Sequence, residues 1–239
     1  MEIKFTLDPD KEIILASAPG VFTPNMTTSL LIQAVGSTVG EPVDLLDLGC
    51  GTGVVGLALY RQGLIKTKVS ASDLSEAAVK CSRENFERYA CPADVRCGSL
   101  FEPWTGMKFE VIVDDISGIS QSVADVSPWF QGVPCETGED GVDLVAEIIR
   151  SAPQYLKEGG RFFFPVLSLS NVDRILQAAR ETFVSVERVG RQDWPLPVEL
   201  KEHLPLLRKL NAEGAIKLNE RFGMVVCYTE TYCATDPQV

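Results

Sequence analysis

The chain reads as an α/β fold: a mostly parallel sheet with helices on both faces, a last strand that returns antiparallel, and a small N-terminal hairpin. Three observations predict it. Apolar strand-like runs alternate with amphipathic helical stretches from residue 43 to residue 167, the pattern of parallel strands joined by crossover helices. The run "DLLDLGCGTGVVGLAL" ends in glycines and at once opens a helix. After residue 182 two more strand-like runs follow with no crossover helix of the earlier kind between them, so the second is expected to insert antiparallel beside its neighbour.

The elements follow in order. "IKFTL" and "EIILA" are short β-prone runs joined by the turn chemistry of "DPD", a hairpin extension within residues 1–19. "GVFTPNMTTSLLIQAV" breaks at Pro24–Asn25 and then sets Leu30, Leu31, Ala34 and Val35 at helical spacing. Strands are expected over 43–48, 68–72, 93–97, 109–115, 160–167, 183–190 and 222–234, and helices over 53–62, 75–90 and 141–156. Ser75 is the cap of the second of these helices. A further helix opens at "SNVD", with Ser170 as its cap and an acid three residues on. The main domain covers 20–239. Within it, residues 191–221 form a Pro-interrupted, Leu-rich insert whose "VELKEHLPLLRKL" is read as helical cover for one sheet edge.

Composition narrows the class. The chain has 239 residues, 45% hydrophobic and 23% charged, which suits one large soluble domain. No apolar run approaches the ~20 residues of a membrane span, and "MEIKFTLDPDKEII" lacks a basic flank followed by an apolar stretch. A cytoplasmic protein is expected. With 33 acidic and 22 basic side chains the formal charge is −11, which steers the chain away from phosphate backbones, so nucleic acid is a disfavoured partner. The seven cysteines are odd in number and show no CxxC spacing, so they are expected to be reduced and mostly packed as small hydrophobes. The single histidine, His203, has no second histidine or nearby cysteine, so no metal site is expected. No feature of the sequence selects an oligomeric state.

A strand that ends in glycines and opens a helix is a site for a nucleotide-like ligand, because glycine permits a left-handed turn and a close approach of backbone N–H groups. "GTGVVG" fits the G-x-G-x-x-G dinucleotide pattern, with Asp73 about 20 residues on. The longer "DLGCGTG" resembles the D-x-G-x-G-x-G loop of class I S-adenosylmethionine-dependent methyltransferases. The ~40-residue lead before the loop and the extra strand pair at the end fit that family better. The resemblance implies a Rossmann-like, seven-stranded sheet with its last strand antiparallel, and S-adenosylmethionine as cofactor. It implies that Asp47, Gly49, Cys50, Gly51, Thr52 and Gly53 form the cofactor loop and that Asp73 accepts hydrogen bonds from the ribose diol. Ser99 would then lie along adenine, where relatives often carry Asp, with Leu74 and Leu100 as candidates for the ring faces.

Within the class, "GVFTP", "GSLFEPW" and "GEDGVDLVAEIIRSAPQYLKEGGRFFF" resemble the HemK/PrmC-like amide methyltransferases. That branch carries Asn-Pro-Pro-Tyr after the fourth strand, where an asparagine and a proline carbonyl hold an amide nitrogen. Here "FEVIVDDISGIS" puts Asp115 at the asparagine, Ile116 and Ser117 at the prolines and Gly118 at the aromatic. An ionised carboxylate only accepts hydrogen bonds, so the amide chemistry does not carry over. Asp115, with Asp114 beside it, is instead expected to accept a proton or orient an amine or hydroxyl. Trp129 and Phe130, in the long segment 117–138, and Trp194, in the insert, are candidate walls of an acceptor pocket. The expected function is methyl transfer to a nitrogen or oxygen of a small molecule. The alternatives are a protein acceptor of the amide type and a cofactor-binding scaffold without catalysis; a nicotinamide oxidoreductase is the distant third.

Overall fold

The computed structural model describes residues 1–8, 11–116, 118–130, 137–221 and 223–238. It opens with an antiparallel hairpin, β1 (Glu2–Asp8) and β2 (Lys11–Ala16); the rest of the expected "DPD" turn lies outside the described residues. Then come α1 (Met26–Thr38), β3 (Leu45–Leu48), α2 (Val54–Arg61), β4 (Val69–Asp73), α3 (Glu76–Arg88), β5 (Ala93–Cys97) and β6 (Phe109–Asp114). A short α4 (Gln121–Ala124) precedes α5 (Asp143–Ser151), β7 (Leu156–Leu167), α6 (Val172–Thr182) and β8 (Phe183–Pro195). The chain closes with α7 (Val198–Lys201), α8 (Leu204–Ala212), β9 (Asn219–Arg221) and β10 (Met224–Pro237).

The main sheet runs β5-β4-β3-β6-β7-β10-β8, with β9 paired to β10. The pairs from β5 to β7 are parallel, and β10 slots antiparallel between β7 and β8. The side-chain period of two shows directly on the strands. Phe162 and Phe164 of β7 enter one core with Leu46, Leu48, Ile112 and the apolar faces of α5 and α6. Phe163, Leu45, Val111 and Val113 enter the other, with α1, α2 and the hairpin residues Ile13 and Leu15. Chain order reverses between β3 and β6, and ligands of open α/β sheets bind in the crevice beyond the strand ends at such a switch point. No helix among the described residues is long and apolar enough to cross a membrane.

Local chemistry sets the element ends. Asn25 caps α1, its Oδ1 accepting from the Thr27 N–H at 2.8 Å, with Thr28 as the reciprocal partner of a capping box. Ser75 caps α3 as expected. The cap of α6 is Asn171, not Ser170: the Ser170 hydroxyl donates back to the Leu167 carbonyl at 2.7 Å, and Asn171 Oδ1 accepts from the Arg174 N–H at 3.2 Å. The helix expected to 156 ends as an α-helix at Ser151, since Pro153 cannot donate to the ladder, and a 3-10 turn feeds β7 four residues early. β8 runs on to Pro195, so Trp194, expected in an insert, lies in a strand paired with Cys227.

The expected formless segment after β6 holds α4 and a 3-10 turn over Pro128–Phe130; Ser117 and residues 131–136, Cys135 among them, lie outside the described residues. Together with Trp194, Leu196, Leu200, Leu207, Leu210 and Cys227 this segment builds a third, smaller core around Ile119, Val123 and Leu169. The stretch "VELKEHLPLLRKL" thus closes that core. The six described cysteines are free, and five of them are buried.

Candidate active site

The glycine loop is a left-handed staircase. Gly49, Gly51 and Gly53 have φ of +66°, +52° and +76°, a region that L-side chains enter only at a cost. A Cβ on Gly49 would meet Ile116 Cγ1 at 2.2 Å, so only glycine lets the segment after β6 close on the loop. At Gly51 a Cβ would meet nothing within 4 Å, so the loop is open on that side. From below, the buried Asn85 of α3 ties the loop to the hairpin: its amide donates to the Thr52 and Ala16 carbonyls at 2.9 and 3.0 Å, and its Oδ1 accepts from the Ala16 N–H.

Register brings the expected acids together. Leu48 of β3 pairs with Ser72 on one side and with Asp114 on the other, so Asp73 and Asp115, one residue further on, flank the start of the loop. Asp73 accepts from the Gly51 and Ser75 N–H groups at 2.9 and 2.8 Å; burial raises its pKa against those bonds. Asp47 accepts from the Gly56 N–H at 2.9 Å through Oδ2, while its Oδ1 has no partner among the described residues. Burial, with the charges of Asp115 and Asp73 adding to it, pushes Asp47 up to about 7. Asp114 is fully buried. Its Oδ1 accepts from the Ile116 N–H, its Oδ2 has no partner among the described residues, and burial lifts its pKa well above the usual carboxylate range. Asp115 is half-buried, and burial raises it to about 7 while the Thr28 hydroxyl, donating to Oδ2 at 2.8 Å, pulls the other way. Cys50 is buried, and burial keeps its thiol neutral.

The other candidates sit around this edge. Leu74 is 70% exposed and free to meet a ligand, whereas Leu100 leans on the core beneath α5 with a φ of +45°. Ser99 and Leu100 border a hollow of about 170 Å³ closed by Glu147, Ser151 and Tyr155. Trp194 is buried, its indole N–H donating to Thr229 Oγ1 at 3.1 Å. Trp129 stands edge-on to Trp194 with ring centroids 5.8 Å apart. Phe130 meets Phe22 of the entry segment at 5.7 Å. Sequence reasoning passed over Thr28, Phe22 and Asn85. Thr28 is visible in the sequence as a helix-cap partner, but its reach to Asp115, 87 positions away, is a tertiary fact. Gly118 carries a further one: a Cβ there would lie 2.1 Å from the Gly141 carbonyl oxygen, so no aromatic side chain fits at that position.

The donor set suits S-adenosylmethionine. Three buried polar atoms at this edge, Asp47 Oδ1, Thr52 Oγ1 and Asp114 Oδ2, lack partners among the described residues, and a cofactor bearing a sulfonium, an ammonium and a ribose diol offers cationic and donor groups to oxygens so placed. Sheet order, antiparallel β10 and the acid-flanked glycine loop place the fold in the class of S-adenosylmethionine-dependent methyltransferases of class I architecture. Residues 12–115 match the methyltransferase small domain family model.

Relatives agree with the class. The chain is 28% identical over 150 residues to a release factor glutamine methyltransferase of Geobacter sulfurreducens, covering 59% of this chain and 51% of the relative. It is 31% identical over 155 residues to a ribosomal RNA small subunit methyltransferase C of Alcanivorax borkumensis, covering 63% and 41%. The chain therefore spans about half the length of the curated relatives it matches. Among solved structures, a Thermus thermophilus 16S rRNA N2 G1207 methyltransferase in complex with AdoMet and guanosine shares the fold at a TM-score of 0.63, with 18% identity, covering 99% of this chain and 50% of that one.

Proposed function

We propose that the chain is an enzyme that transfers a methyl group from S-adenosylmethionine to a nitrogen or oxygen nucleophile of a protein. One observation carries the catalytic part: Asp115 leaves the carboxyl end of β6 beside the glycine loop, is held by Thr28, and has a pKa of about 7. A base of that pKa is matched to neutral pH, where a placed general base contributes about 10²–10⁴ in rate. The cofactor, when bound, supplies an activated methyl group. The loop 49–53 with Asp47 would hold it, Asp73 would take its ribose, and Leu74, Ser99 and Leu100 would take its adenine. Asp115 would orient the acceptor and hold its proton, and the aromatic rings of Phe22, Phe130 and Trp129 would exclude water beside it. Placement alone carries much of such a displacement, because the nucleophile need only be held in line.

The small-molecule acceptor expected from the sequence has less support than a macromolecule. The relatives are named for release factors, ribosomal RNA and ribosomal protein L11. Between protein and RNA, the formal charge of −11 favours protein. The test is transfer of label from methyl-labelled S-adenosylmethionine into a cell extract split into protein, RNA and small-molecule fractions, with Asp115→Ala in parallel. Label in protein that disappears in the variant is expected. Label confined to RNA or to small molecules would overturn the acceptor, and absence of transfer by a cofactor-binding chain would overturn the activity.

A further inference from the structure

The first turn of α1 is fixed at two points. Asn25 caps it, its Oδ1 accepting from the Thr27 N–H at 2.8 Å, and Thr27 Oγ1 meets Thr229 Oγ1 of β10 at 3.3 Å. Thr28, only 1% exposed, completes the capping box: its hydroxyl oxygen accepts from the Asn25 N–H at 3.4 Å. The hydroxyl proton goes to Asp115 Oδ2 at 2.8 Å and has no other acceptor among the described residues. A backbone N–H can only donate, so the cap occupies a lone pair of the hydroxyl and leaves its proton for the carboxyl. Asp115 Oδ2 is thus an occupied acceptor, while Oδ1 has no protein donor among the described residues.

Resting on the methyl transfer proposed above, we infer that Thr28 is a positioning residue for Asp115: its hydroxyl, aimed by the helix cap, holds Oδ2 as a standing acceptor, leaves Oδ1 to take the proton of the methyl acceptor, and favours the carboxylate form. The proton of the nucleophile passes to Oδ1 and then to water, while Oδ2 keeps its bond to Thr28. A hydrogen bond donated to the charged form of an acid stabilises that form. The balance is close here, because burial pushes Asp115 up to about 7 against the pull of the Thr28 hydroxyl. The charged groups coupled to it are Asp114 on its own strand and Asp47 on β3, both acids, and like charges favour its protonated form. Helix α1 brings no charged side chain to the contact. Within this set, the Thr28 hydroxyl is the group that favours the base.

The test compares Thr28→Val, which keeps the shape and removes the hydroxyl, with Thr28→Ser, which keeps the hydroxyl. The Asp115 carboxyl is followed by NMR titration of the protein carrying carboxyl-labelled aspartate, its signal assigned by its loss in Asp115→Asn. In Thr28→Val the Asp115 pKa is expected to rise by about 1, the effect of one hydrogen bond to a charged group, and in Thr28→Ser to stay at the wild-type value. Methyl transfer is expected to follow the same titration. Thr28→Val should lose at least about five-fold at pH 7, the loss should narrow by pH 9, and KM for S-adenosylmethionine should not change. Thr28→Ala removes the same hydroxyl with a smaller side chain and reads the same rise should Thr28→Val not fold. An Asp115 pKa unchanged when the hydroxyl is removed, or a Thr28→Ser that titrates like Thr28→Val, overturns the inference. So does a loss in Thr28→Val that is the same at every pH, the mark of damage to packing alone. If the wild type transfers no methyl group, the proposed activity fails, and the carboxyl titration still decides whether Thr28 governs Asp115.

Discussion

The two ends of the sheet's carboxyl edge are built differently. From β5 to β6 the edge is made of strand ends and one local loop. Asp47, the three left-handed glycines and Asp73 lie within 27 positions of each other in sequence, and strand register alone delivers Asp114 and Asp115 to them. From β7 to β8 the edge is made of distant pieces: Trp194 of β8, Thr229 of β10, Thr27 of α1 and Trp129 after α4 meet through one indole N–H, one hydroxyl pair at 3.3 Å and one ring contact. The lesson is a division of labour. The half that carries the glycine loop is local, whereas the half beyond β7 hangs on a satellite core of residues distant in sequence.

The comparison breaks or sharpens under mutation, and the largest effect is expected at the tryptophans. Trp104 is fully buried in the main core, and its indole N–H donates to Ser72 Oγ at 2.9 Å beneath the cofactor edge. Trp104→Ala should cost about 3–5 kcal/mol in urea unfolding. Trp194→Ala, in the satellite core, should cost roughly 2–3 kcal/mol and expose α7 and α8 to hydrogen exchange before the rest. A cost for Trp194→Ala equal to that of Trp104→Ala would mean that the two halves unfold as one unit. Next comes Gly49→Ala, which meets both the left-handed φ and the Ile116 side chain; it should lose about 1–3 kcal/mol of stability, and calorimetry should show weakened cofactor binding.

Asp114→Asn has a smaller, pH-dependent effect. The folded-state pKa of Asp114 lies above its value in the unfolded chain, so the native state binds more protons and its stability falls as pH rises above about 4. Asparagine removes that loss. The variant's Tm should therefore exceed the wild type's by an amount that grows from pH 5 to pH 8, at roughly 2–4 °C per kcal/mol. A difference in Tm that stays constant with pH would place the Asp114 proton elsewhere.

Legibility follows the same divide. The mostly parallel sheet with its antiparallel last strand was readable because alternating elements and a glycine loop are short-range signals, and Asp47, Asp73, Asp114 and Asp115 stood out as candidates because each lies at or beside the carboxyl end of a strand. Ser170 was misread as a cap because its hydroxyl turns back to Leu167, a choice that depends on the preceding strand. Trp194 was placed in an insert because Arg191, Gln192 and Asp193 look loop-like, whereas β10 pairs with all of them. Thr28 and Phe22 were invisible as site residues, since their partners Asp115 and Phe130 lie some 90 to 110 positions away and meet them only after the sheet has closed.

The most direct test of the division is the affinity of S-adenosylmethionine for Asp73→Ala and Asp115→Ala, measured side by side with the wild type by titration calorimetry. Loss of hydrogen bonds to a charged group predicts a roughly 10–100-fold weaker Kd for Asp73→Ala, with Asp115→Ala staying within a few-fold of wild type. Equal losses, or a larger loss at Asp115, would contradict the separation of cofactor binding from acceptor chemistry.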